Sequence, residues 1–431
     1  MKKEKNKKYD GGITLVALVV TIVILLILAG VSLNLVIGNE GILKRSKEAA
    51  DKYGKQAENE QQVLNNVENW MDEQFGGMQK VAVNTKATKN GTINGEESNT
   101  NNPIIPKGYT PINAGSATWG DGSSAPTQNS VDHGLIIRDD AGNEWVWIPV
   151  EASTLSSIYA TSNDGIAISG DVGVATNLYT KTTTIGRTGD TTTISRSTPN
   201  TTDYREPDLV VESDSTSYDK NESYYKTILG FDTPKAMAEA FTADYANMIA
   251  SIQKYGGFYI GRYELSNEGV QKGKATLTNT DWYNLYKKCT TLNASDKVES
   301  KMIWGIQWDL ACDFISKKGE QKSIINSTTW GNHSNSTGNA AVMDGTTKKY
   351  GSKQVTGFSE YWKANNIYDL AGNCYEWTRE AYSTSSRAYR GGFYGNDGSS
   401  FPASGRYNLG VGYSNYSGLR FPSHFNNKVE L

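Results

Sequence analysis

The chain is 431 residues long, with 37% hydrophobic residues and a formal net charge of −3. This nearly balanced charge excludes the excess of basic residues with which proteins bind nucleic acids, so we expect no nucleic-acid partner. The cysteines Cys289, Cys312 and Cys374 exclude a disulfide-rich scaffold, because three cysteines allow at most one bridge.

The N-terminal segment predicts a membrane-inserted helix. Residues 1–12 carry five lysines, whereas residues 13–37 carry no charged side chain. An apolar helix of this length can cross the hydrocarbon layer of a bilayer, which is about 30 Å thick. Because the lysines precede it, the positive-inside rule places the N-terminus in the cytoplasm and the rest of the chain outside. We therefore expect a cell-surface protein that contacts the membrane through this helix.

A glycine pair before the apolar run bears on three interpretations: a secretory signal peptide, a plain membrane anchor and a prepilin. A signal peptide is cut after its apolar core. Here Gly12 and the following Ile13-Thr14-Leu15-Val16 resemble the processing site of type IV pilins and pseudopilins. The resemblance implies cleavage between Gly12 and Ile13, a leader over 1–12 and a pilin-like transmembrane and stem helix over 13–75. A plain anchor is the alternative.

One position departs from the pilin pattern. Pilins carry a glutamate at the fifth mature position, which is Ala17 in this chain. A carboxylate buried in a filament core needs a partner charge on a neighbouring subunit. Alanine has no carboxylate and cannot form this ion pair. We therefore expect a minor or tip-located pilin, or an anchored protein, rather than a bulk filament subunit. Other pilin subunits are candidate partners.

Beyond the stem the composition changes. Residues 76–131 are rich in Ser, Thr, Asn and Pro, which predicts a linker. A domain is predicted over 132–425, where two apolar runs around Gly142-Asn143 indicate a β-hairpin. Apolar residues at helical spacing indicate a helix over 236–255. The Thr- and Ser-rich residues 152–222 predict a surface insertion in this domain. The mixture of helices and strands places the chain in the α+β class.

Several motifs in the second half of the chain share residues with one enzyme family. They are Gly-Phe-Tyr-Ile-Gly-Arg-Tyr-Glu from Gly257, Met-Ile-Trp-Gly-Ile-Gln-Trp-Asp-Leu-Ala from Met302, Ile-Tyr-Asp-Leu-Ala-Gly-Asn-Cys-Tyr-Glu-Trp-Thr from Ile367, Arg-Gly-Gly from Arg390 and Gly-Leu-Arg from Gly418. In this order they resemble the formylglycine-generating-enzyme, or sulfatase-modifying factor, family. The resemblance implies a C-type-lectin-like domain with short strands, few helices and much irregular backbone.

The resemblance does not extend to the catalytic residues of that family. Its oxidases carry a redox-active cysteine pair after the Arg-Gly-Gly motif, and thiolates bind the copper. The aligned positions here are Asn396 and Phe401, so we expect neither copper nor enzymatic activity. A surface formylglycine-generating-type oxidase is kept as an alternative. The widely separated His133, His333 and His424 argue against a histidine-based triad or a zinc site.

The motif that begins at Ile367 implies a structural metal site. In the family that it resembles, the corresponding loop can hold Ca²⁺ through two carboxylates and two backbone carbonyls, and oxygen ligands suit this hard cation. The matching positions are the side chains of Asp369 and Glu376 and the carbonyls of Gly372 and Cys374. The alternative is that the two carboxylates only accept hydrogen bonds from backbone amides and hold the loop.

The segment 393–417 has the composition of a binding surface. Tyr, Asn, Ser and Gly dominate it, and such residues combine aromatic contact area with adaptable hydrogen bonds. In the resembling family this stretch lines the ligand face, and it is also similar to the variable region of retroelement-diversified C-type-lectin proteins. An irregular loop without a ligand is the alternative. The predicted ligand-binding residues are Phe393, Tyr394, Asn396, Asp397, Ser399, Ser400, Phe401, Arg406, Tyr407, Asn408, Tyr413, Asn415 and Tyr416.

Together these features predict a surface-displayed, adhesin-like protein that is anchored in the membrane or located at a pilus tip. Its C-terminal domain would be extracellular and would bind an extracellular protein or glycan. The alternative is a pseudopilin-type structural component of a pilus or secretion apparatus.

Overall fold

The structure is a computed structural model that describes residues 131–158, 181–196, 221–292, 298–383 and 386–411, with short pieces between 85 and 112, between 167 and 176, at 204 and 206, and between 425 and 430. The predicted leader and pilin-like helix, over 1–75, lie outside the described residues. In the described ranges, no helix is both long and apolar enough to cross a membrane.

Four α-helices and four single-turn helical segments occur in the described part of the chain. The α-helices are α1 Ala152–Ile158, α2 Pro234–Tyr255, α3 Trp282–Cys289 and α4 Gly305–Lys317. A π-helical turn covers Ser223–Ile228, and 3₁₀ turns cover Val131–His133, Gly338–Ala340 and Glu360–Trp362. Helices are thus few for the length described, and they are mixed with strands.

The strands are short, and most of them are antiparallel to their neighbours. They are β1 Thr85–Ala87, β2 Ile93–Asn94, β3 Ile104–Ile105, β4 Thr110–Pro111, β5 Ile136–Arg138, β6 Glu144–Pro149, β7 Ala167–Ser169, β8 Val174–Thr176, β9 Lys181–Arg187, β10 Asp190–Arg196, β11 Gly257–Gly261, β12 Lys301–Met302, β13 Met343–Asp344, β14 Thr347–Lys348, β15 Lys363–Ala364, β16 Ile367–Tyr368, β17 Tyr375–Ser383, β18 Ser386–Arg390, β19 Arg406–Gly410, β20 Phe425–Asn427 and β21 Val429–Glu430.

Two sheets organise the core. A six-stranded sheet has the order β12-β21-β11-β6-β5-β4, and in it β11 runs antiparallel to β6 with Phe258 opposite Ile148. A four-stranded sheet has the order β19-β18-β17-β20, with β17 parallel to β20. The predicted hairpin around Gly142-Asn143 is confirmed, because β5 pairs with β6 across that turn. The sheets place β18 and β19, which frame the predicted binding segment, side by side.

Helix α2 follows from local signals at both ends and from its apolar stripe. Thr233 accepts a hydrogen bond from Ala236 N at 3.1 Å, and Pro234 occupies the first helical position, where it needs no intrahelical partner. Gly256 ends the helix with φ of 77°, which suits glycine. The buried stripe faces the core and contains Met237, Phe241, Tyr245, Ile249 and Ile252. The prediction of a helix over 236–255 is therefore confirmed.

Part of the predicted linker, residues 76–131, belongs to the folded domain. β4 pairs with β5, with Thr110 opposite Arg138. Ile105 and Tyr109 are buried, and Ile104 O accepts a hydrogen bond from the Tyr259 hydroxyl at 2.8 Å. Two-residue strands between prolines carry no periodicity in the sequence, so these pairings were not predicted.

The predicted insertion over 152–222 contains a hairpin that packs on the core. β9 and β10 pair along seven residues each, with Ile185 and Ile194 buried. At the turn, Asp190 accepts hydrogen bonds from Ser316 Oγ and from Ile324 N, both at 3.0 Å. Gly186 N donates to Asp313 of α4 at 2.8 Å. This hairpin is therefore joined to α4 by buried polar contacts as well as by apolar ones.

Candidate ligand-binding face

The chain leaves β18 through Gly391 and Gly392, which have positive φ angles that favour glycine. Gly392 has φ of 75°, and a Cβ built on it would lie 2.4 Å from Phe401 O. A side chain there would thus be strained by both the backbone conformation and the contact. The tight approach folds residues 393–405 into a compact loop, which returns the chain to β19 beside β18.

Polar side chains of this loop hold its own backbone. The Asp397 carboxylate accepts hydrogen bonds from Ser399 N at 2.8 Å and from Ser400 N at 3.0 Å, and Asn335 Nδ2 donates to it at 2.5 Å. The hydrogen bonds from Ser399 and Ser400 lower the pKa of Asp397. Asn396 Oδ1 accepts a hydrogen bond from Phe393 N at 3.2 Å. Asn396 and Asp397 therefore give the loop a defined shape.

A histidine lies under the loop. His333 is fully buried, and a Cβ added to Gly398 would lie 2.7 Å from its Cδ2 atom. Burial lowers the pKa of His333 to about 4. The imidazole is therefore neutral at physiological pH and fills the space beneath the loop as an uncharged ring.

Half-buried aromatic rings form a continuous row that we term the aromatic face, which consists of Tyr389, Phe393, Tyr394, Phe401 and Tyr407. Tyr389 lies opposite Tyr407 across β18 and β19, with ring centroids 5.6 Å apart. Phe401 and Tyr407 are 4.8 Å apart, and the buried Tyr375 ring lies behind Phe393 at 5.1 Å. Such packing fixes the rings while part of each ring stays accessible.

Arg406 borders the aromatic face and is held on three sides. Its Nε donates to Glu380 Oε2 at 2.9 Å, and its Nη1 donates to Ser195 O at 2.8 Å. Its guanidinium also lies 3.9 Å from the ring centroid of Tyr204, a cation–π contact. The side chain is thus held in one direction.

Tyr204 belongs to the same surface, although the sequence placed it in an insertion. Its hydroxyl donates to Arg406 O at 3.3 Å and accepts from Asn408 Nδ2 at 3.5 Å. Its ring lies 4.9 Å from that of Tyr382. No local pattern in the Thr- and Ser-rich stretch marks this tyrosine, because its neighbours are about 200 residues away in sequence.

A group of buried charges lies behind Arg406, and we term it the buried charge cluster: Arg196, Glu206, Asp309, Glu380 and Arg390. Arg196 contacts Asp309 at 2.7 Å, Glu380 at 2.8 Å and Glu206 at 3.2 Å. Arg390 contacts Asp309 at 2.5 Å. The cluster joins the end of β10 to α4, β17 and β18, and it supports Arg406 through the shared Glu380.

The pKa values of two carboxyl groups in the cluster are shifted in opposite directions. Burial raises the pKa of Glu206 to about 8, although Arg196 opposes this shift. Burial alone would also raise the pKa of Asp309, but the guanidinium groups of Arg390 and Arg196 hold it below its ordinary value. Glu206 also accepts hydrogen bonds from Gly305 N and, at 3.0 Å, from Ile306 N, which cap the start of α4.

The loop predicted to hold calcium is rich in hydrogen bonds. Asp369 Oδ2 accepts from Gly357 N at 2.8 Å, and Glu264 accepts from Cys374 N at 3.0 Å and from Asn373 Nδ2 at 2.5 Å. Among the described residues, no three His, Cys, Asp or Glu side chains group closely enough to hold a metal ion. These contacts support the hydrogen-bonding alternative for Asp369. Ca²⁺ bound by Asp369, Gly372, Cys374 and Glu376 stays a prediction.

The predicted binding residues are placed as follows. Phe393, Tyr394, Asn396, Asp397, Phe401, Arg406, Tyr407 and Asn408 are half-buried in one loop and the adjoining strand, whereas Ser399 and Ser400 are exposed. Tyr413, Asn415 and Tyr416 lie outside the described residues, as do Gly12 and Ile13. The cysteines Cys289, Cys312 and Cys374 are buried free thiols, and burial raises the pKa of Cys312 and of Cys374.

No protein-family model and no curated protein matches the chain. Among solved structures, the chain is similar to Treponema denticola variable protein 1, with 12% identity and a TM-score of 0.27, over 41% of this chain and 84% of that one. It is also similar to PvdO from Pseudomonas aeruginosa, with 13% identity and a TM-score of 0.29, over 63% of this chain and 99% of that one. Both similarities are weak and carry no argument about function.

Proposed function

We propose that this chain is a surface-displayed, adhesin-like protein that binds an extracellular protein or glycan at the aromatic face. The observation that carries the proposal is the row of half-buried rings beside the fixed Arg406. Tyrosine and arginine are the usual energetic anchors of interfaces. Rings and a guanidinium that are already held in place lose little conformational freedom on binding.

The same proposal includes the finer predictions from the sequence. The domain is a C-type-lectin-like display scaffold, and residues 13–37 fix it in the membrane or at a pilus tip. The segment 393–417 is the variable part of the binding surface. Its loop shape depends on glycines and on hydrogen bonds that the side chains of Asn396 and Asp397 accept from backbone N–H groups, so side chains along β19 can change without loss of the scaffold.

We also propose that the chain is not an oxidase. Asn396 accepts a hydrogen bond from Phe393 N, and Phe401 packs on Tyr407. Neither side chain offers a thiolate for copper. Calcium in the loop around Asp369 is a further, structural part of the proposal. A melting temperature that rises with Ca²⁺ and falls with EDTA would establish it.

The binding proposal is tested on immobilised panels of glycans and extracellular proteins, with the full chain in detergent. For each ligand found, we expect Tyr407→Ala and Tyr394→Ala to weaken binding by at least about fivefold, which corresponds to about 1 kcal/mol or more at an interface anchor. Melting curves confirm that each variant is folded.

The matched control is Tyr361→Ala, because Tyr361 is 50% exposed and lies outside the aromatic face. It should bind as wild type. If Tyr361→Ala weakens binding as much as Tyr407→Ala does, or if neither changes it, the ligand binds elsewhere and the proposed face is wrong. If residues 13–75 alone account for the binding, the result would favour the alternative that the chain is a pseudopilin-type structural component.

A further inference from the structure

Strand β19 is the last strand of its sheet and carries part of the aromatic face. In the order β19-β18-β17-β20 it has β18 on one side, and among the described residues no strand pairs with its other side. An edge strand presents backbone N–H and C=O groups that can pair with another chain. The outer edge of β19 is therefore a candidate interaction surface.

Two hydrogen bonds indicate which backbone groups of β19 point outwards. Arg406 O accepts a hydrogen bond from the Tyr204 hydroxyl at 3.3 Å, so this carbonyl is directed away from β18. Ala388 lies opposite Asn408, and its carbonyl accepts a hydrogen bond from a threonine side chain of β17 at 3.1 Å, so it faces away from β19. Because successive residues of a strand direct their backbone groups to opposite sides, the N–H and C=O groups of Asn408 and Gly410 also point outwards.

The outward groups are unpaired along the second half of the strand. Tyr204 covers the first half, where its hydroxyl contacts Arg406 O and Asn408 Nδ2. The outward N–H and C=O groups of Asn408 and Gly410 have no hydrogen-bond partner within the part of the chain that the structure describes. Both residues are half-buried, so the strand is not enclosed by the domain. Two donors and two acceptors are thus available along this edge.

The spacing of these groups favours an extended polypeptide as the ligand. A strand places its outward-facing residues about 6.8 Å apart, and a second strand repeats donors and acceptors at the same interval. Proteins that capture a peptide in this way gain affinity from backbone hydrogen bonds and specificity from alternate side chains. A glycan has no backbone amides with which to continue the ladder of hydrogen bonds.

The side chains of β19 indicate which residues an added strand would carry. Tyr407 belongs to the aromatic face, and Leu409 follows it on the same face of the sheet, with both side chains half-buried. Asn408 lies on the opposite face, where its Nδ2 contacts Tyr204. Neighbouring strands pair side chains on each face, so apolar residues suit the first face and polar residues suit the second.

We propose that the partner is a protein that adds an extended segment, with apolar and polar residues in alternation, to the outer edge of β19. The added strand pairs with the backbone of Asn408 and Gly410, and its apolar side chains pack against Tyr407 and Leu409. This inference rests on the proposed function and deepens it, because it assigns the ligand of the aromatic face to proteins rather than to glycans.

The first test uses an array of random linear peptides, twelve residues long, probed with the full chain in detergent. Each bound peptide is made again with N-methyl groups at every second residue, in the two possible registers. Only alternate amides face β19, so we expect one register to weaken binding at least about tenfold, through several lost hydrogen bonds, and the other by less than about twofold. No bound peptide, or equal weakening in both registers, overturns the proposal.

The second test compares Gly410→Pro with its matched control Gly410→Ala. Proline removes the outward N–H and is tolerated in an edge strand at such a position, whereas alanine keeps the N–H. We expect Gly410→Pro to bind the same peptides at least about fivefold more weakly than Gly410→Ala, and melting curves show that both are folded. Equal affinities of the two variants overturn the proposal. If a glycan binds, and Tyr407→Ala weakens its binding while Gly410→Pro does not, the proposed function stands and strand addition is wrong.

Discussion

His333, buried beneath the loop 393–405, makes the stability of the fold depend on pH. Its pKa is about 4 in the folded protein and near 6.5 ordinarily. Because the folded value is the lower one, the unfolded chain takes up the proton first as the pH falls. This contribution to stability is fully present above pH 6.5 and is lost as the pH falls from 6.5 to 4. A shift of this size corresponds to about 3 kcal/mol.

We expect His333→Gln to flatten the pH dependence in that window, since glutamine does not titrate. Urea unfolding of both proteins between pH 7.5 and pH 4 gives the free energy of unfolding at each pH. The difference between the wild-type and variant values across this range measures the contribution of His333. The carboxyl groups that also titrate at low pH are shared by both proteins and cancel in the difference. Parallel curves for the two proteins would show that burial of His333 does not carry the effect.

At the scale of elements, the buried charge cluster attaches the β9–β10 hairpin to the rest of the domain. Arg196 is the hairpin's contribution, and it contacts carboxylates of α4 and β17. We expect Arg196→Met to lower the free energy of unfolding by about 3–5 kcal/mol, because the buried carboxylates of Glu206, Asp309 and Glu380 each lose their contact with its guanidinium. The loss of stability should be larger at high pH. Without the Arg196 guanidinium, the buried carboxyl groups of the variant have higher pKa values, so ionising them at high pH destabilises the folded state.

Arg187→Met is the control for this prediction. Arg187 belongs to the same hairpin, its side chain is 43% exposed, and it lies 3.9 Å from Asp190. Because Arg187 is open to solvent and the contact is long, we expect this pair to contribute about 0–1 kcal/mol. Thermal melts of the two variants at pH 6 and pH 9 compare them. Equal losses in both variants would mean that the cluster does not hold the hairpin.

At the scale of the whole molecule, the prepilin interpretation requires a particular N-terminus. We expect cleavage between Gly12 and Ile13, so that the mature cell-associated protein starts at Ile13. Mass spectrometry of the protein extracted from membranes measures the first residue. A mature start at Met1 would leave a plain anchor, and a start beyond residue 37 would indicate a secreted protein. A Gly12→Leu variant should stay uncut if the site is of the prepilin type.

The sequence alone determined the elements whose signals are local. The hairpin around Gly142-Asn143 and the helix from Pro234 to Tyr255 follow from turn residues, a cap and apolar spacing. The segment after Arg390-Gly391-Gly392 was predicted from its composition and from the resemblance of that motif to a known family, and not from a local turn signal. Eight of the residues predicted in it lie together, half-buried, in the described structure.

Only the tertiary structure decided which distant residues complete the aromatic face and its support. Tyr204 reaches Arg406 across about 200 residues, and Arg196 reaches Asp309 across more than 100. Similarly, β4 joins a sheet although the residues around it have the composition of a linker. Periodicity and turn chemistry report on neighbours within a few positions of the chain. Contacts between a polar stretch and a distant buried charge leave no such local pattern, because they depend on how the whole domain closes.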